Sequence, residues 1–108
     1  MDFTIMSDPA ILTELGARVQ RHRLNRNITQ DDLAAHAGVS RTVVQRLEQG
    51  RGCTLKGFVR ILRALDLLPQ LAMFLPDPGP SPLQLARLAG RTRQRAAGPR
   101  SARAGTQE

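Results

Sequence analysis

The stretch from Ile28 to Gly50, ITQDDLAAHAGVSRTVVQRLEQG, constrains the fold more than any other part of the chain. Two short helical patterns flank a glycine, and a hydroxyl residue opens each. Thr29 caps the first, and Asp32 stands three residues on, where a capping box usually carries Glu or Gln. Leu33, Ala34 and Ala37 recur at helical spacing and face inward. Gly38 ends this helix, because glycine accepts the left-handed conformation of a C-terminal cap at little cost. Ser40 caps the next helix, which runs to Gln49 and stops at Gly50.

On a wheel of about 100° per residue, the second of these helices has two different sides. Val43, Val44 and Leu47 fall on one, a small core surface. Arg41, Thr42, Gln45 and Arg46 fall on the other, which carries only groups able to bond base edges or phosphates. Ala34 supplies a small contact where the helices cross, Gly38 permits the sharp turn, and Val39 plugs the space between them. This is the layout of a helix-turn-helix, whose second helix enters the major groove of DNA.

The flanking sequence adds helices. Residues 1–8 form a short lead with apolar Phe3, Ile5 and Met6. Ser7 or Asp8 caps a first helix with Pro9 in its first turn, and Leu12, Leu15 and Val19 share one face of it up to about Asn25. Asn25-Arg26-Asn27 forms a turn. Thr54 caps a fourth helix with Leu55, Phe58, Val59, Leu62 and Leu65 on one stripe. The apolar run LLPQLAMFL, residues 67–75, reads equally as a fifth helix or a strand. PDPGPSP then places four prolines in residues 76–82, a stiff linker. From Leu83 to about Ala97 one more amphipathic helix is expected, with Leu85, Leu88 and Ala89 clustered. The composition from Gly98 onward predicts disorder.

Charge narrows the partners. Lys and Arg number 16 against 9 Asp and Glu, a net +7 with a sequence pI near 11.6, and all the bases but Lys56 are arginine. Arginine's planar fork suits phosphates and guanine edges, so the balance points to nucleic acid. The single cysteine, Cys53, excludes an internal disulfide and a thiolate metal site. His22 and His36 stand apart from any ligand or catalytic cluster, and no nucleophile–base pair, phosphate loop or metal motif appears. The expectation is a non-enzyme with no cofactor and no metal. No run approaches the roughly 20 apolar residues of a membrane span, and no signal peptide opens the chain. A cytoplasmic protein working at the nucleoid, without a membrane partner, is expected.

The combination Thr-Gln-x-x-Leu-Ala-x-x-Ala-Gly-Val-Ser-x-x-x-Val-x-x-Leu-Glu-x-Gly resembles the Cro/CI-type (XRE) helix-turn-helix family. The resemblance implies an all-α, five-helix, lambda-repressor-like DNA-binding domain over residues 9–75, here with a Pro-linked basic C-terminal extension. It places Ser40, Arg41, Thr42, Gln45 and Arg46 at base-reading and adjacent positions, and Gln30 and Arg51 at phosphates. Either Arg41 or Arg46 could hold guanine O6 and N7, or contact phosphate instead. It also implies a partly buried ion pair between Arg23 and Glu48. Arg23 lies only about 40° from Val19 on the first helix, so its charge needs a partner or must snorkel.

A second resemblance follows from CTLKGFVRILRALDLL, residues 53–68. This run is similar to HipB, the DNA-binding partner of HipA-type kinase toxins. It implies a homodimer on palindromic double-stranded operator DNA, autorepression, and a complex with a HipA-like kinase toxin, sometimes with a third small protein. The chain departs from that pattern in its tail, with Pro69, no tryptophan and an arginine-rich end. Leu67, Leu68, Leu71, Met73, Phe74 and Leu75 would form the dimer interface, close the core, or do both. The tail has three readings: added DNA contacts, a solvated end, or docking on an acidic toxin surface through Leu83, Leu85, Leu88, Arg87 and Arg91. Two other functions compete: a stand-alone phage or restriction–modification repressor, and a kinase-inhibiting interaction module with secondary DNA binding.

Overall fold

The computed structural model describes residues 1–94, with side chains through residue 90. The described residues are all-α: α1 (Asp8–Asn25), α2 (Gln30–Ala37), α3 (Arg41–Glu48), α4 (Leu55–Ala64), α5 (Leu71–Phe74) and α6 (Pro82–Gln94). Two 3₁₀ turns, Phe3–Ile5 and Leu68–Gln70, precede α1 and α5. Residues 67–75 are therefore helical, a 3₁₀ turn running into the single turn of α5. The chain divides into two units, Met1–Leu75 and a second that begins at Pro76.

Side-chain caps start the main helices. Ser7, Thr29, Ser40 and Thr54 each accept from a backbone N–H three residues on. At α2 both arms of a capping box close: Thr29 Oγ1 accepts from Asp32 N at 3.0 Å, and Asp32 Oδ2 accepts from Thr29 N at 3.3 Å.

One device ends all four longer helices of the first unit. A residue in the left-handed region follows each: Asn27 (φ 60°), Gly38 (70°), Gly50 (81°) and Asp66 (59°). Each donates its N–H three residues back, and its successor donates five back, as in Val39 N to Ala34 O and Arg51 N to Arg46 O. This is the Schellman pattern, and it satisfies carbonyls that a helix end otherwise leaves bare.

The core lies where α1, α2, α3 and α4 meet. Leu33, Val44 and Ile61 are fully buried, with Val19, Ala34, Ala37, Leu47 and Leu65 around them. α2 packs on α3 and α4, and α1 packs on α3. Burying a side chain of this size contributes about 1.5–3 kcal/mol, so these few residues supply most of the unit's apolar stabilisation.

Two expectations are corrected. Leu55 is not on the buried stripe of α4; it is 78% exposed. The buried residues Gly57 and Ile61 swing the packed face about 90° away from it at 100° per residue. On α1, Leu12 lies at the edge of the core face, 38% exposed, while Gly16, Val19 and Arg23 are buried. A methyl group at Gly16 would overlap the Leu47 carbonyl oxygen, so this glycine sets how closely α1 approaches α3.

The second unit, taken by itself, presents α6. Pro82 opens this helix instead of closing the linker, because a proline at the first helical position loses no hydrogen bond. A capping box holds the start: Gln84 N donates to Ser81 Oγ at 3.2 Å, and Ser81 N donates to Gln84 Oε1 at 3.1 Å. The expected end of this helix near Ala97, and the arginine-rich residues beyond, lie outside the described residues.

Gly16→Ala and Gly38→Ala separate close packing from backbone strain. Gly38 has a left-handed φ but open space around its Cα, so its substitution costs about 1 kcal/mol. Gly16 has ordinary helical φ, where alanine gains nearly 1 kcal/mol in propensity. The backbone overlap nonetheless makes Gly16→Ala destabilising by about 1–3 kcal/mol. Urea denaturation of both variants checks the pair.

Candidate nucleic-acid interface

α3 divides sharply. Val44 and Leu47 are buried and Val43 packs against the core, while Arg41, Thr42 and Arg46 are exposed and Gln45 is half-buried. Thus Arg41, Thr42 and Arg46 point off the body with Gln45 at their margin. Ser40 Oγ accepts from Val43 N at 3.3 Å, which leaves its hydroxyl hydrogen free to donate outward.

α3 is tied down by a buried ion pair. Arg23 Nε donates to Glu48 Oε2 at 2.7 Å and Arg23 Nη2 to Oε1 at 3.0 Å, a bidentate fork. The Glu48 side chain is only 2% exposed and that of Arg23 9%. Arg23 Nη1 also donates to the Ile28 carbonyl at 2.9 Å, and Gln30 Nε2 donates to Glu48 Oε1 at 3.0 Å. One carboxylate therefore joins α1, the turn before α2, the first residue of α2 and the end of α3. Gln30 keeps its amide oxygen and one N–H for an outside partner.

The C-terminal end of α3 is cationic. The Schellman bond from Arg51 N to Arg46 O, at 2.9 Å, brings Arg51 back beside the helix end. Both side chains are exposed and, among the described residues, neither pairs with a carboxylate. At the other end Arg41 Nε lies 3.6 Å from Asp31 Oδ1 in the first turn of α2. Arg23, Gln30, Asp31 and Arg41 line an open cleft with Asn27, Ile28 and Thr29.

Three further arginine contacts were not anticipated. Arg26 Nη1 donates to the Leu65 carbonyl at 2.7 Å and lies 2.9 Å from Asp66 Oδ2, tying the ends of α1 and α4 together. Arg60 Nη1 donates to the Gly38 carbonyl at 3.2 Å, joining α4 to the turn. Arg18 bonds Glu14 at 2.8 Å and lies over the Phe3 ring, holding the lead against α1. The Arg26 and Arg60 partners are distant in sequence, so periodicity carries no signal for them, whereas Glu14 and Arg18 stand at the i,i+4 spacing of a helical ion pair that charge patterning could have found.

The other predicted residues fall as follows. Leu67, Leu68 and Leu71 are half-buried, while Met73, Phe74 and Leu75 are 69–85% exposed. Leu71, Leu67 and Phe74 line an apolar groove with Phe3, Leu15 and Phe58. In the second unit Leu83, Leu85, Leu88 and Arg87 lie on the surface, and the Arg91 side chain lies outside the described residues. Cys53 is exposed at the surface, and partial burial of its sulfur pushes its thiol pKa up, away from reactivity. His22 and His36 are exposed, and no metal-binding cluster occurs among the described residues. No described helix is long and apolar enough to cross a membrane.

A family model described as a helix-turn-helix domain matches residues 14–73. That span covers more than half of the chain and includes α2, the turn and α3 complete, and the chain belongs to this family. The class is that of DNA-binding regulators, and the helix-turn-helix match is consistent with the Cro/CI-type resemblance. No curated protein matches the sequence.

Glu48→Ala leaves the Arg23 guanidinium buried without its counter-charge, and costs about 3–5 kcal/mol. The pair Arg23→Met with Glu48→Leu removes both charges together and recovers most of that loss. Thermal and urea unfolding of the single and double variants measures the difference.

Proposed function

We propose that this protein is a sequence-specific transcriptional repressor that reads operator DNA with α3. The observation that carries the reading is the exposed Arg41, Thr42 and Arg46 face on a helix whose back is buried and whose end is fixed by the Arg23–Glu48 pair. Arg41, Thr42, Gln45 and Arg46 meet base edges, with Ser40 beside them, and Gln30 and Arg51 meet the flanking phosphates. A single eight-residue helix spans few base pairs, so two copies related by a two-fold axis would read a palindrome with half-sites about 34–36 Å apart. Met73, Phe74 and Leu75, exposed beside the groove under α5, support a homodimer through residues 67–75.

The finer assignment is a HipB-like autorepressor and antitoxin partner of a HipA-type kinase toxin. It rests on the Thr54–Leu68 sequence pattern. α6 supplies a basic, leucine-bearing helix through which the second unit would meet the toxin or a third small protein.

Replacing Arg41 and Arg46 together with Ala should weaken operator binding by roughly two orders of magnitude, at about 1–3 kcal/mol for each arginine. Gel-shift titration against the chain's own promoter measures this, and unchanged binding would refute the assignment of α3. Purification from the native operon should recover a homodimer together with a kinase of this kind, identified by mass spectrometry. A homodimer that binds its promoter and brings no kinase would leave a stand-alone repressor.

A further inference from the structure

The ion pair between Asp31 and Arg41 is unlike the other arginine contacts of the first unit. Arg23 and Arg26 bind groups that belong to the fold, whereas Arg41 is a foremost candidate reader on α3. Asp31 makes no side-chain cap; Asp32, its neighbour, fills that role. Both partners are well exposed, at 59% and 69%, so the contact adds little to folding. A carboxylate at this place is nonetheless consequential. It sits in the first turn of α2, beside Gln30 and on the cleft where a phosphate would approach. There it offsets the positive pole of α2 and repels any anion entering the cleft.

The contact is electrostatic: at 3.6 Å it is an ion pair too long for a hydrogen bond. Asp31 faces the Nε edge of Arg41, and no described group is bonded to its terminal nitrogens. The terminal nitrogens stay available to bond a guanine O6 and N7, while the nearby carboxylate offsets part of the attraction to phosphate. Without that carboxylate the full cationic charge of Arg41 faces a duplex, whose most abundant anionic acceptors are the phosphates.

We propose that Asp31 is a specificity-determining residue. Its charge competes with the DNA phosphates for Arg41, so that affinity for arbitrary sequence is suppressed and the residue is left for base reading. This rests on the reading of α3 as the DNA-contacting helix. It predicts that Asp31→Asn makes the protein a tighter but less selective DNA binder, the reverse of what loss of a simple contact residue would do.

The test uses the full chain and two duplexes of equal length. One is the sequence that the wild type selects from a random library, and the other is a scrambled version of it. Fluorescence anisotropy across a salt series, with circular dichroism to confirm folding, gives both affinities. Asp31→Asn should bind the scrambled duplex about 3–10-fold more tightly, with a salt slope steeper by up to about one. Binding to the selected duplex should rise less or fall, so that the ratio between the two drops several-fold. In an Arg41→Ala background the same substitution should leave the ratio unchanged, because the residue it controls is gone. A uniform tightening on both duplexes, or the same loss of ratio without Arg41, would overturn the proposal and make Asp31 a bulk surface charge. A wild type that selects no sequence would overturn the DNA-reading assignment, and the role of Asp31 with it.

Discussion

The arrangement of this domain hangs on one carboxylate. The Glu48 side chain is almost wholly buried, and three groups converge on it or its partner: the Arg23 guanidinium through Nε and Nη2, the Gln30 amide, and through Arg23 Nη1 the Ile28 carbonyl. Removing two charges from water costs several kcal/mol per ion, and their attraction repays this only with good geometry and full hydrogen bonding. Both conditions hold here. What the pair adds beyond net stability is register. An apolar contact between α1 and α3 would tolerate sliding or rotation, whereas a bidentate fork with two further bonds fixes one relative placement. The same carboxylate fixes Gln30 at the start of α2. The two helices of the helix-turn-helix are thereby set against each other by this polar cluster as well as through the core.

Much of this was legible in the sequence, and for definite reasons. The caps at Thr29 and Ser40, the stops at Gly38 and Gly50, and the apolar side of α3 are all local, and local chemistry repeats reliably. The Arg23–Glu48 contact was available through the family resemblance and the awkward position of a charge near an apolar stripe. Gly16 was not legible. Periodicity weighs large apolar residues, and the closest approach of α1 to α3 is made by the residue with no side chain. The face of α4 was misjudged for the same reason, since Gly57 is buried and Leu55 is not. Asn27 and Asp66 close α1 and α4 in the same left-handed conformation; Asn and Asp tolerate it better than most side chains, but they signal a helix end more weakly than the glycines after α2 and α3. Pro82 looked like the end of a linker because a proline is read as a breaker, yet Ser81 and Gln84 were a capping signal in plain view.

The first unit holds ten Lys and Arg against seven Asp and Glu, and few of those cations are available to an anion. Arg23 is consumed in the core, Arg26 at Asp66 and Leu65, Arg18 and Arg21 at Glu14, Arg60 at the Gly38 carbonyl, and Arg41 at Asp31. The basic side chains left without a carboxylate partner among the described residues include Arg46 and Arg51, brought together where α3 ends. The interface is thus graded along one short helix. Its C-terminal end carries unpaired positive charge, suited to attract a duplex at any sequence. Its N-terminal end carries a charge partly balanced by Asp31. In the proposed DNA-reading role, attraction and discrimination would fall at opposite ends of α3. The Schellman turn that creates the first end and the α2 carboxylate that restrains the second are both properties of the chain's own fold.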